Sequence, residues 1–153
     1  FTAADTQWLV LTLELWPRTD VLDWAEKVVS GHPEHNVIIQ THHYLDRDGT
    51  VSTSNGGYGK TPPSVLYDRI VSKYANVKLV FSGHVGKFAK RTDTVNGNTV
   101  VSYLGNDLGG EFNPVRILTV NPVTGKVTGR LHDPLHNTVL TAYNTSDTIK
   151  IVR

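Results

Sequence analysis

The chain reads as an α/β fold, a β-α-β-α-β unit followed by an antiparallel β-meander. Three observations predict it. Val37-Ile38-Ile39-Gln40-Thr41-His42-His43 and Val77-Lys78-Leu79-Val80-Phe81-Ser82-Gly83-His84 are runs of β-formers that end abruptly in histidine. Runs of this length, bounded by turn signals, are buried strands of an α/β sheet. Segments with helical spacing precede each run, and beyond His84 the pattern changes to hairpin signals.

The elements follow in order. Residues 8–15 are nearly all apolar or β-forming and predict a strand that Pro17 ends. Asp20 is placed to cap a helix over residues 20–30, with Asp23 in its first turn, where the helix dipole favours a carboxylate. Val21, Ala25, Val28 and Val29 fall on one helical face, with Trp24 at its border. Gly31 and Pro33 stop the helix. Residues 36–41 form the next strand, and β-α-β order implies a right-handed crossover with parallel strands. Residues 43–61 are a long loop rich in Asp, Gly, Ser and Asn, of a length usually kept for function. Pro62-Pro63 opens a second helix over 64–74, with Val65, Leu66, Ile70 and Val71 inward. Residues 77–82 are the third strand. Asn96-Gly97 between 91–95 and 99–104 is a strong hairpin signal. A second hairpin joins 115–120 to 126–131 around Pro122-Val123-Thr124-Gly125. A third is expected from 138–143 and 148–152.

The 153 residues suit a single domain and suffice for a core. The net charge of +1, with scattered basic residues, leaves no electrostatic footprint for nucleic acid. No apolar stretch is long enough to span a bilayer, and no signal-peptide pattern opens the chain. With no cysteine, neither a disulfide framework nor a thiolate site is possible. No methionine occurs, even at position 1, so the chain is expected to be part of a longer protein.

Ligands in such sheets collect at the carboxyl ends of the strands. Histidines ending two neighbouring parallel strands therefore suggest a metal site. A neutral imidazole suits borderline divalent metals, and Gly83 lets backbone approach closely. Adjacent side chains on an extended segment point to opposite sides, so one of His42 and His43 faces the site and the other faces away. The competing reading is two polar residues opening a loop. Gly59-Lys60-Thr61 fails as a phosphate loop, because the position of the first glycine is Ser54, no strand precedes it and Pro62-Pro63 follow. Asp46-Arg47-Asp48-Gly49 starts like a calcium loop, but no acidic residue closes it, so it reads as a turn. Asn144-Thr145-Ser146 is a glycosylation sequon, a triplet common by chance. His32, His35, His132 and His136 read as surface residues. No Ser-His-Asp or paired-carboxylate set stands out.

Leu11-Thr12-Leu13-Glu14, the Pro17-Arg18 helix start, Thr41-His42-His43-Tyr44-Leu45, Ser82-Gly83-His84-Val85 and Arg91-Thr92-Asp93 with Gly97-Asn98-Thr99-Val100 occur in this order. In this the chain resembles the C-terminal half of calcineurin-like metallophosphoesterases, in particular their bacterial, often exported branch. The likeness covers most of residues 8–121. It implies a two-sheet β-sandwich flanked by helices, with a dinuclear metal centre at one edge. It also implies hydrolysis of a phosphate mono- or diester by metal-activated water, and a secreted or cell-envelope location. His42 matches the family's isolated metal-binding histidine and His84 the first histidine of Gly-His-x-His. Both would hold the same divalent ion, Zn, Mn or Fe. The second histidine of that motif falls at Gly86, which has no side chain to ligate the other metal. The family's Asp-x-His, Gly-Asp-x-x-Asp and Gly-Asn-His-Asp/Glu motifs would lie upstream of Phe1.

The resemblance makes the parent protein a metal-dependent phosphoesterase acting on a phosphoester substrate. His43, Lys87 and the 46–60 loop are the expected substrate contacts, although Lys87 also reads as a solvated surface lysine. Residues 1–153 alone are expected to be inactive, because two histidines are too few for a tight site. The alternative is a non-catalytic β-rich binding or assembly module. An exposed sheet surface would then drive self-association or pairing with a separate N-terminal half.

Overall fold

The computed structural model describes residues 1–106 and 113–153. The fold is mixed α/β, mostly strand. Ten strands run in chain order as β1 (Thr2–Ala3), β2 (Thr6–Thr12), β3 (Asn36–Gln40), β4 (Val77–Ser82), β5 (Lys87–Val95), β6 (Asn98–Asn106), β7 (Val115–Val120), β8 (Lys126–Asp133), β9 (Thr138–Val139) and β10 (Thr145–Thr148). Helix α1 spans Thr19–Gly31, and the short α2, Pro63–Leu66, runs into a π-helical turn over Tyr67–Val71. Six strands form one sheet in the order β1-β2-β3-β4-β6-β5. Its centre, β2 through β4 and β6, is parallel, and β1 and β5 pair antiparallel at the two edges. The second sheet has the order β10-β8-β7, with β9 also on β8.

Side-chain alternation along the central strands builds two cores. Val80, Val100 and Leu104 bury on the helix side with Leu22, Ala25, Val29, Leu66 and Ile70. Leu79, Val101 and Tyr103 bury on the opposite side with Val127 and Ile149 of the second sheet region. A bulge sets this register. Val37 pairs with Val77 but Ile38 pairs with Leu79, so Lys78 is the extra residue. Its buried ammonium donates to the Ala75 carbonyl and Asn98 Oδ1. Burial pushes that ammonium down to about 8, with Lys150 adding repulsion.

Several expectations need correction. The first strand ends at Thr12 rather than continuing to residue 15. Leu13 keeps one ladder bond to the Gln40 carbonyl, and then Trp16 takes a φ of 47° and turns the chain away. Asp20 is not the cap of α1. Arg18 occupies that position, its own N–H donating to Glu14 Oε1, and Asp20 lies in the first turn. The buried face of α1 is Leu22, Ala25 and Val29, with Trp24 exposed. The second helix is α-helical only to Leu66. The π turn follows, closed by Ser72 N–H donating to the Tyr67 carbonyl, and it buries the adjacent Ile70 and Val71 together. β5 begins at Lys87, four residues before the expected start. The Asn96-Gly97 hairpin forms with φ of 52° and 70°, the values of a type I′ turn. The third hairpin does not form as expected. β9 and β10 are successive pieces of one arm, separated by a 3₁₀ turn at Thr141–Tyr143, and both pair with β8. Among the described residues no helix is long and apolar enough to cross a membrane.

Candidate functional site

The carboxyl ends of β3 and β4 stay zipped beyond the strands. Thr41 N–H donates to the Phe81 carbonyl and Gly83 N–H to the His42 carbonyl, each at 3.0 Å. These bonds bring the two histidine-bearing turns side by side. Val85 N–H then donates to the Gly83 carbonyl at 2.9 Å, and His84, between them, has φ of 70°. That is a γ-turn of the strained, positive-φ kind, rare for a residue with a Cβ. The strain is local and falls at the candidate site.

The rings of His42, His43 and His84 gather there. The His42 and His84 ring centres lie 5.1 Å apart at an interplanar angle of 69°. His43 and His84 lie 4.8 Å apart and tilted by 35°. The edge of Trp16 meets both His43 and His84. His42 is exposed, His84 half-buried, and His43 only 5% exposed.

His43 and His42 divide the work as the alternation of an extended segment requires. Trp16 Nε1–H donates to His43 Nδ1 at 3.0 Å, and His43 Nε2 faces Asp46 Oδ1 at 3.3 Å. An indole N–H can only donate, so Nδ1 is the acceptor and Nε2 carries the proton. Both His43 nitrogens are thereby used inside the protein. His42 and His84 make no comparable bonds to described residues. Burial, followed by the neighbouring His43 and His42, pushes the His84 imidazolium below its usual range, which favours the neutral ring.

The 43–61 loop closes over this cluster. Asp46 N–H and the Thr50 carbonyl bridge its first turn, and Asp48 Oδ1 accepts from both the N–H and the hydroxyl of Thr50. The segment is therefore a turn, as its sequence suggests. Further on, the loop lies on the Trp16 indole. A Cβ at Gly56 would sit 2.2 Å from Trp16 Cη2, and one at Gly59 would sit 2.5 Å from Trp16 Cβ. Only glycine lets backbone approach a ring that closely. Tyr58 meets the same indole edge-on at 4.7 Å. Lys87 stands at the start of β5, exposed, and its ammonium forms no hydrogen bond or ion pair with the described residues. Its charge reaches Asp48 as the weakest of several effects lowering that carboxyl, led by the Thr50 hydrogen bonds.

A cleft of about 600 Å³ opens beside His42, between the ends of the two sheets. Thr41, Ser82, Gly83, Tyr103 and Arg116 line it with His42. Trp16 and Arg116 are site residues that sequence reasoning misses. Neither carries a motif, and their partners lie 27 and 13 positions away, at His43 and Tyr103.

The donor set fits part of a metal centre. Two imidazoles on one tetrahedral ion, with bonds of about 2.0–2.1 Å, have ring centres roughly 5 Å apart. The His42–His84 spacing matches this. Among the described residues no group of three or more His, Cys, Asp or Glu converges on a common point. The chain thus offers a pair of ligands and not a full set. No family model, curated protein or solved structure matches the chain.

Proposed function

We propose that this chain is the C-terminal part of a calcineurin-like metallophosphoesterase, in which His42 and His84 supply two ligands to one divalent ion. The observation that carries the reading is the 5.1 Å spacing of these rings at the ends of adjacent parallel strands. A divalent cation held there would make a bound water more acidic and offset charge on phosphoryl oxygens. The protein's own part is to present two imidazoles and to keep them in place. Partial desolvation favours the neutral form of His84. His43 acts by positioning: anchored at both nitrogens, it backs the His84 ring at 4.8 Å. Lys87 and the 46–60 loop are the proposed substrate contacts.

Two imidazoles without a carboxylate hold a divalent ion weakly. The chain alone should therefore hydrolyse bis-p-nitrophenyl phosphate no faster than buffer containing Mn²⁺ or Zn²⁺. A chain extended upstream should turn it over, and His84→Ala should abolish that turnover. Metal-dependent turnover by residues 1–153, lost in His42→Ala, would refute the need for a second half.

One observation favours the assembly reading. β7 is an edge strand, and its Val115 and Ile117 are exposed on the outer face together with Val139 of β9. Sedimentation of the chain as a dimer, combined with an extended chain that neither binds metal nor turns over, would favour that alternative.

A further inference from the structure

The cleft beside His42 has a chemistry of its own. Phe81, Phe88 and Tyr103 supply apolar wall, with Phe81 and Tyr103 stacked at 5.6 Å and 15°. Among the described residues, no Asp, Glu or Lys lines it, and its charged group is the Arg116 guanidinium. Arg116 projects inward from β7 by the same alternation that half-buries Leu118 and Val120. Its guanidinium lies 4.8 Å over the Tyr103 ring. Nε and Nη1 are both fully buried, and neither has a hydrogen-bond partner.

That arrangement is costly for the protein alone. A buried guanidinium normally has acceptors for its N–H groups, and a ring face answers its charge but not its donors. Burial also pushes the guanidinium below its ordinary range. Lys90 at 2.5 Å and Thr92 at 3.1 Å both bond Asp147 Oδ1, whereas Oδ2 is buried without a hydrogen-bond partner, and Asp147 forms no ion pair with Arg116. The cleft is therefore lined by a guanidinium whose Nε–H and Nη1–H are closed off from solvent and unanswered, it has flat apolar walls, and it shares His42 with the histidine pair.

We infer that this cleft binds a phosphate-class oxyanion through Arg116, with a flat apolar group of the same ligand against Phe81, Phe88 and Tyr103. The ligand class is an aryl-like phosphate ester. The choice of phosphate over carboxylate rests on the phosphoesterase reading, whereas the anion site itself does not.

The test is done with chelator present, at constant ionic strength, so that it is independent of any metal. Phenyl phosphate should raise the melting temperature of the wild-type chain and shift the Arg116 Nε–H resonance in a ¹⁵N NMR titration. Arg116→Met should bind it roughly ten- to hundredfold more weakly, the loss expected for charge-assisted hydrogen bonds. Arg116→Lys should fall between the two, because it keeps the charge and loses the planar donors. Equal protection of Arg116→Met would place the anion elsewhere and overturn the inference. So would a wild-type chain with no thermal shift and a static Arg116 resonance. An Arg116 signal that moves on Asp147→Asn but not with phenyl phosphate would make it an internal ion pair. Benzoate binding as tightly as phenyl phosphate would overturn the phosphate assignment. Failure of the histidine pair to bind metal would leave all of these readouts unchanged.

Discussion

Trp16 Nε1 lies 3.0 Å from His43 Nδ1, and this one bond decides the tautomer of a buried histidine. It forces the proton onto Nε2, which then points to Asp46. The left-handed backbone at Trp16, φ 47°, is what turns the indole under the loop and toward His43. A bend after β2 is thus coupled to the orientation of a ring at the end of the neighbouring strand, β3.

Trp16→Phe should expose that coupling. Phenylalanine keeps most of the ring volume and removes the only donor to Nδ1. A buried acceptor left unpaired costs about 1–3 kcal/mol, so the variant should unfold at lower urea by that amount. The histidine ring should also lose its fixed tautomer. Ring ¹⁵N shifts of His43 should show a single Nε2–H form in the wild type and a mixture in the variant. An unchanged tautomer would mean that Asp46 alone sets it.

Gly59→Ala should loosen the loop over the site. The new Cβ would meet Trp16 Cβ at 2.5 Å, a stiff part of that side chain. Overpacking of this kind costs about 1–3 kcal/mol. Gly57→Ala is the control: nothing lies within 4 Å of its Cβ, and the penalty comes from φ of 79° alone. Near-ultraviolet circular dichroism should report a changed Trp16 environment in the first variant and little change in the second.

The parallel strands, the type I′ turn and the meeting of His42 with His84 were legible because each follows from local rules. A run of β-formers, Asn-Gly, and two residues ending adjacent parallel strands need no distant information. The π turn at Tyr67–Val71 was not legible. Its spacing reads as ordinary helix, and it is set by packing of Ile70 and Val71 and by Asn96 Nδ2–H donating to the Ser72 carbonyl from the β5–β6 turn. The β9–β10 arm was misread for a similar reason, since β8 rather than a neighbouring arm satisfies both pieces. The tautomer of His43 depends on a tryptophan 27 residues away, which no spacing rule connects to it.

Acid should weaken the junction between α1 and the π turn. Hydrogen bonds from Lys73, Arg69 and Tyr74 lower the Glu26 carboxyl to about 2 from a usual value near 4.5. A folded-state value below the unfolded one means that the unfolded chain binds the proton more readily. The contribution is therefore complete above about 4.5, falls as pH drops toward about 2, and is gone below it. Glu26→Gln should flatten the pH dependence of the urea midpoint in that window and lower the midpoint near neutrality. A variant whose acid slope matches the wild type would assign the slope to other carboxylates.

The γ-turn at His84 separates stability from ligation. Its φ of 70° strains any residue with a Cβ, by about 1–3 kcal/mol, and glycine avoids that strain. His84→Ala removes the imidazole and keeps the strain, whereas His84→Gly removes both. The glycine variant should thus be more stable than the alanine variant by about 1 kcal/mol, part of the gain being offset by the greater freedom of glycine in the unfolded chain. Both should lose the weak Zn²⁺ binding expected of the His42–His84 pair, read by isothermal titration at neutral pH. Binding should also vanish in His42→Ala, whose backbone carries no such strain, with little change in stability because the side chain is exposed. If His84→Gly were no more stable than His84→Ala, the positive φ would not be a site of strain. Retained Zn²⁺ binding in either His84 variant would remove the pair from the metal centre.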